Sequence, residues 1–186
     1  MPQTETLITQ NNIIEILLKN RGIVGGAEQE AFLSPDYDAH MHDPLLMHDM
    51  ERAVVRIFEA IEQKERITIY ADYDADGIPG AVIFHDLFKK IGYDNFSIYI
   101  PHRHNEGYGL NIDAVDEIAS SGTKLLVTVD LGITGKSEVA YATSLGLDVI
   151  VTDHHEPPEE LPQAYAIVHP KLGNYPEPML CGSGVA

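Results

Sequence analysis

Leu147-Asp148-Val149-Ile150-Val151-Thr152-Asp153-His154-His155 is an apolar run that closes on one carboxylate and two imidazoles. The run predicts a buried strand over 147–152, and the tripeptide predicts the loop that leaves it. Adjacent residues of an extended segment point to opposite sides. One histidine can therefore bind a metal while its neighbour faces a substrate or supports the first. Taken alone, such a tripeptide is an ordinary solvated loop. Its weight comes from what the rest of the chain places beside it.

Outward from this stretch, the chain from Arg66 alternates between strand and helix patterns. Strands are predicted at 67–71, 96–100, 125–129, 147–152 and 165–168. Helices are predicted at 79–91, 111–121 and 135–145, with Pro79 suited to a first turn, Asn111 to a cap and Gly122 to a stop. This alternation predicts an α/β fold: a parallel sheet flanked by helices on both faces and joined by right-handed crossovers. Upstream lies a helical amino-terminal extension. Ile13, Ile14, Leu17 and Leu18 give a packing helix from residue 9 to Gly22, and 34–47 reads as an irregular connection. Its polar cluster, Asp36, Asp38, His40, His42, Asp43 and His48, reads as surface rather than a metal site. Met47, Met50, Val54, Ile57, Phe58 and Ile61 then share one helical face, read as core rather than a binding groove. The domain division expected is 1–64 for an extension packed on the core, and 65–186 for the sheet domain.

Open parallel sheets bind ligands beyond the carboxyl ends of their strands. The first strand is followed by Asp72-Tyr73-Asp74-Ala75-Asp76-Gly77, the second by Pro101-His102-Arg103, the third by Asp130, and the fourth by Asp153-His154-His155. Carboxylates gathered on one rim repel one another, and divalent cations relieve that repulsion. The aspartate run also matches the opening of a calcium-binding EF-hand loop. That reading fails because the twelfth position is Ile83 and the preceding segment reads as strand. A receiver-type acidic pocket would leave the histidine pair unexplained. Mixed carboxylate and imidazole donors favour manganese, zinc or iron over calcium, and a close pair of such ions suits phosphoester hydrolysis. Between the second strand and its helix, Arg103 is suited to grip a phosphate, and Tyr108 offers a face for a base, although the glycines there also suit a plain turn.

Composition sets outer bounds. The chain has 186 residues, 44% of them hydrophobic, so it can bury a sizeable core. A single cysteine, Cys181, excludes an intrachain disulfide, and no apolar run has the length of a membrane span. A reducing cytoplasm is the expected compartment, with no membrane partner. The formal net charge of −17 argues against non-specific affinity for a polyanion.

In order and strand placement, Asp72 to Gly77, the lone Asp130 and Asp153-His154-His155 resemble the first three motifs of the DHH phosphoesterase superfamily. Pro101-x-Arg103-x-x-Glu106-Gly107-Tyr108-Gly109-Leu110 resembles its RecJ branch, whose members degrade single-stranded DNA from the 5′ end. The likeness runs from about residue 32 to the closing Cys181-Gly182-Ser183-Gly184-Val185-Ala186, which is similar to the family's glycine-rich entry to a helix. The resemblance implies a hydrolase: the phosphodiesterase module of a 5′ to 3′ single-stranded-DNA exonuclease that releases 5′-mononucleotides by a two-metal mechanism and serves DNA repair and recombination. It implies manganese, two ions, with magnesium as the substitute. Asp74, Asp76, Asp130 and His154 would be ligands, with Asp130 bridging. His155 would contact the scissile phosphate, and Arg103 would hold substrate phosphate. Asp72 and Asp153 would orient the ligands, while Tyr108 and Gly109 would meet the substrate. Two departures stand out. Tyr70 occupies a position where many superfamily members carry histidine, and a fourth motif that brings another aspartate is expected beyond residue 186. The chain alone is therefore expected to be weakly active or inactive, with further carboxyl-terminal domains and single-stranded DNA as partners. An uncovered last strand or apolar surface near 179–186 would promote self-association. Other readings of the same residues are a non-catalytic nucleic-acid or replication scaffold, or an enzyme for short oligonucleotides or cyclic dinucleotides.

Overall fold

The computed structural model describes residues 10–186, with side chains from Ile13 onward, so the expected helix start at residue 9 lies outside them. The chain divides into two compact units, one ending at His42 and the other running from Asp43 to Ala186. In the first, α1 (Gln10–Asn20) is closed by Gly22 at φ 80°, and the Ile23 N–H returns to the Leu18 carbonyl at 3.0 Å. α2 (Gly26–Leu33) and α3 (Tyr37–His40) follow.

The connection expected to be irregular is instead two short capped turns. Asp36 accepts from the Ala39 N–H at 2.8 Å to start α3, and Asp43 accepts from the Leu45 N–H at 2.9 Å to start a 3-10 turn at Pro44–Leu46. Asp36 and Asp43 serve as helix caps because short acidic side chains satisfy free N–H groups.

The second unit holds a five-stranded, wholly parallel sheet in the order β2-β1-β3-β4-β5. Its strands are β1 (Arg66–Ala71), β2 (Phe96–Tyr99), β3 (Thr123–Val129), β4 (Asp148–Thr152) and β5 (Ala166–Val168). Strand alternation divides the core in two. Ile67, Ile69, Leu125, Val127 and Ile150 face α4 (Met50–Glu62) and α5 (Gly77–Ile91), while Tyr70, Leu126, Val149 and Val151 face α6 (Ile112–Ser120) and α7 (Lys136–Ser144). The sheet is thus covered on both faces, as the alternating pattern requires. A last short helix, α8 (Gly182–Val185), packs on α5 where Gly80 admits it. A Cβ at Gly80 would lie 2.5 Å from Val129 Cγ1.

α4 corrects one expectation. Ala53, Arg56 and Ala60 are its buried residues, whereas Phe58 is 60% exposed and Val54, Ile57 and Ile61 line an open apolar groove of about 320 Å³ with Phe84, Leu87 and Val185. The apolar stripe is therefore only partly core, because within the described residues of the second unit no element lies over its outer half. Arg56 is buried by pairing, its Nε donating to Asp148 Oδ2 and its Nη2 to Glu65 Oε2, each at 2.7 Å. Arg56→Ala strands two carboxylates. We expect a loss on the order of 2–3 kcal/mol in urea unfolding, because Asp148 stays partly hydrated.

The outer edge of β5 is closed by side chains. The Ile167 N–H donates to Asp49 Oδ2 at 3.1 Å, and His48 Nδ1 donates to the Ile167 carbonyl at 2.9 Å. Asp49 reaches this position from a left-handed backbone, φ 52°.

Candidate metal centre

β1 and β3 are neighbours whose onward connections pass to opposite faces of the sheet, so the switch point of this topology lies between them. Asp72 and Asp130 are the first residues beyond those two strands. Each extends the ladder by one bond: the Asp72 N–H donates to the Val129 carbonyl at 3.1 Å, and the Asp130 N–H to the Thr152 carbonyl at 3.0 Å. Asp153 does the same beyond β4, donating to the Val168 carbonyl at 3.3 Å. All three side chains are buried, so rigid sheet backbone aims them.

The three have different surroundings. Asp153 is saturated: Oδ1 accepts from the N–H groups of His154 and His155 and from His155 Nδ1, and Oδ2 accepts from the Ile133 N–H. It shapes the histidine loop, and its oxygens are already engaged there and at Ile133. Asp130 is the reverse. Neither of its buried oxygens has a hydrogen-bond partner, although His154 Nε2 lies 3.1 Å from Oδ1. Burial, followed by the neighbouring Asp74, pushes its carboxyl up to about 8. Asp74 is held below the usual carboxylate range because its Oδ1 accepts from the Gly77 N–H at 3.0 Å and the Asp76 N–H at 2.8 Å. Burial raises Asp72.

Donor atoms of Asp72, Asp74 and Asp130 fall within 4.8 Å of one another, and so do those of Asp130, His154 and His155. Asp130 belongs to both groups. Asp76 stands at the margin, with Oδ2 3.8 Å from His154 Nε2 and 3.4 Å from the Gly182 N–H. Two glycines let this packing close. A Cβ at Gly77 would sit 2.3 Å from the Asp72 carbonyl oxygen, and one at Gly182 would sit 2.1 Å from Asp130 Oδ1.

A buried carboxylate stays ionised only with a partner, and among the described residues neither Asp130 oxygen accepts a hydrogen bond. The mixed oxygen and nitrogen donors around it fit a divalent cation. His155 Nδ1 donates to Asp153 at 2.7 Å, which leaves Nε2 for another partner. The Tyr108 hydroxyl lies 3.3 Å from both nitrogens of that ring. Arg103 is outside the cluster, its guanidinium 4.5 Å from the Tyr73 ring centroid. Gly109, at φ 88°, turns its carbonyl to the Tyr70 hydroxyl at 3.1 Å. Tyr70 is fully buried and spends its hydroxyl there, so it does not offer it to the carboxylates.

Sequence reasoning missed two residues. His169 is fully buried, donates from Nε2 to the His155 carbonyl at 2.9 Å and accepts the Lys171 N–H at Nδ1, so it braces the histidine loop. It directly follows β5, and applying the strand-end rule to that strand would have found it. Gly182 reads in the sequence only as part of a glycine-rich entry to a helix, and its approach to Asp130 is a tertiary contact that leaves no mark there.

The Asp130 carboxyl also sets a pH dependence. Its folded value, about 8, lies above the ordinary 3.8, so its contribution to stability is complete below about pH 4 and is lost as pH rises through 8. With chelator present, unfolding free energy should fall between about pH 5 and 8 by up to roughly 3 kcal/mol. Asp130→Asn should flatten that slope, and added cation should reverse it at pH 8. An unchanged slope in the variant would assign the effect to another group.

A parallel sheet with carboxylates and imidazoles across its switch point defines an α/β domain built around a cation-binding rim. The chain belongs to the DHH family: the model of that family's N-terminal domain matches residues 66–186. It is 46% identical over 177 residues to the single-stranded-DNA-specific exonuclease RecJ of Bacillus subtilis, covering 94% of this chain and 22% of that protein. Against the Escherichia coli RecJ it is 40% identical over 139 residues, covering 74% and 24%. Among solved structures, exonuclease RecJ bound to manganese superposes with a TM-score of 0.71 at 35% identity, over 78% of this chain and 37% of that one. The Thermus thermophilus RecJ in complex with Mn2+ gives 0.69 at 29% identity, over 92% and 23%. The chain thus spans about a quarter or less of the two curated relatives.

Proposed function

We propose that this chain is the metal-binding part of a phosphodiesterase that hydrolyses single-stranded DNA from its 5′ end, releasing 5′-mononucleotides. The observation that carries the reading is Asp130: a buried carboxylate with no hydrogen-bond partner at either oxygen among the described residues, shared by two groups of donors. The names of the relatives, all single-strand-specific exonucleases, supply the substrate class. The cations are manganese, as in the solved relatives, with magnesium as substitute. Asp74, Asp76, Asp130 and His154 hold them, and Asp72 helps to orient the oxygens. When bound, a cation pair supplies Lewis acidity and lowers the pKa of water. His155, fixed by Asp153, presents Nε2 to the scissile phosphate. Arg103 holds a substrate phosphate, and Tyr108 and Gly109 border the strand.

We further place the protein in the cytoplasm, acting in repair or recombination, with the phosphoesterase domain beginning at about residue 65 and later domains supplying a fourth aspartate and a basic surface for the strand. No helix among the described residues is long and apolar enough to cross a membrane. The deciding assay offers a long 5′-phosphorylated single strand, short oligonucleotides and cyclic dinucleotides with manganese, to this chain and to a longer one. Preference for the long strand supports the proposal. Hydrolysis confined to cyclic or short substrates, or none by either chain, would overturn it. His155→Ala should cut turnover by about 100-fold or more with cation affinity nearly intact, whereas equal loss of both would make His155 a ligand.

A further inference from the structure

The segment between β2 and α6 carries Arg103 and Tyr108, yet nothing apolar holds it. Pro101 and Leu110 are buried at its ends, and none of residues 102–109 is buried. What spans it is the carboxylate of Glu106. Its Oε2 accepts from the His102 N–H at 2.6 Å, at the start of the loop. Its Oε1 accepts from Asn111 Nδ2 at 3.2 Å, at the end, and from the Tyr99 hydroxyl rising out of β2. Tyr99 stacks on Tyr70 at 5.0 Å between centroids, and the Tyr70 hydroxyl donates to the Gly109 carbonyl. One carboxylate therefore joins both ends of the loop to β2, whose Tyr99 in turn stacks on Tyr70 of β1.

The start of α6 does not need this carboxylate. Asn111 Oδ1 caps that helix by accepting the Ala114 N–H at 2.7 Å. The donors that converge on Glu106 also keep it ionised, with the Tyr99 hydroxyl foremost in holding it below the usual carboxylate range. The groups that project from the tethered loop are the Arg103 guanidinium, stacked on Tyr73 beside Asp72, and the Tyr108 hydroxyl at the His155 ring.

We propose that Glu106 is a positioning residue: by clasping the two ends of the 101–111 loop, it sets where Arg103 meets substrate phosphate and where Tyr108 borders the strand, beside the carboxylate and imidazole rim. This rests on the phosphodiesterase reading above. Without the clasp, the loop must be ordered at the moment of binding, and the ordering entropy appears as weaker substrate binding rather than slower chemistry.

The test has two arms. In the first, amide hydrogen exchange is followed on the chain itself and on Glu106→Ala. Protection should drop at Glu106, whose N–H is bonded within the loop at 3.0 Å, and at His102, while the Asp130 and His154 amides stay as they were. In the second, the protein hydrolyses a 5′-phosphorylated oligothymidylate in manganese. Glu106→Ala should raise KM by about 10- to 100-fold, the range for lost hydrogen bonds to a charged group, with kcat within about threefold. Glu106→Gln keeps one acceptor oxygen and should fall between wild type and alanine. The double variant with Arg103→Ala should lose less than the product of the two single losses, because the clasp acts in part through that residue. Unchanged exchange at 102–109, a kcat loss without a KM change, or multiplying effects in the double variant would each overturn the proposal. This arm uses whichever of this chain and the longer one hydrolyses the strand; absence of hydrolysis by both would count against the function proposed above, and the exchange arm would still decide the clasp.

Discussion

Asp130→Ala should abolish tight manganese binding, by well over the roughly 10- to 100-fold lost when an outer partner of a metal ligand is removed. The reason is placement. Asp130 contributes to both donor groups, so its removal leaves Asp72 with Asp74 on one side and His154 with His155 on the other. Neither group then keeps three donors, and the proposed ligands Asp74, Asp76 and His154 lose the buried carboxylate that both groups share. Folding should survive, since the metal-free carboxylate is buried without a hydrogen-bond partner and its loss relieves repulsion from Asp74 and Asp76. Calorimetric titration with manganese, beside an unfolding curve in chelator, separates the two effects. Unaltered stoichiometry and affinity would remove Asp130 from the centre.

Gly182→Ala should be nearly as severe although it changes no polar group. The added methyl would lie 2.1 Å from Asp130 Oδ1 and 2.4 Å from its carboxyl carbon, in the space that the carboxylate needs. Either α8 withdraws from the rim or Asp130 turns away. We expect a loss of at least about tenfold in cation affinity, with about 1–3 kcal/mol of overpacking. Gly184→Ala is the control, because its methyl would meet only Leu180 Cδ2 at 3.3 Å and Cys181 Sγ at 3.5 Å. If the two variants bind manganese alike, the close approach at Gly182 is not what shapes the centre.

The sheet was legible because each strand is a short apolar run set between helices of 3.6-residue period, and a parallel sheet buries both faces of such runs. The gathering of Asp72, Asp130 and Asp153 was legible for a related reason: each directly follows a strand, and topology alone brings strand ends together. The division of labour among them was hidden. Asp153 and Asp130 occupy equivalent positions, and only the Ile133 N–H and the histidine loop make one saturated and the other bare. The apolar stripe of α4 reads as amphipathic from its spacing, but the spacing does not say what lies over it. Glu106 was visible as part of a motif, whereas its partners Tyr99 and His102 depend on how the loop folds back.

The closed edge of β5 bears on association. A parallel sheet grows when an incoming chain lays its backbone along an outer strand, and here the one outward amide and carbonyl of Ile167 are already engaged by Asp49 and His48. A segment arriving at that side finds no template. The side chains thus act as a chain terminator for β-augmentation on a strand three residues long, so seeding of fibrils through this flank is suppressed from within the same polypeptide.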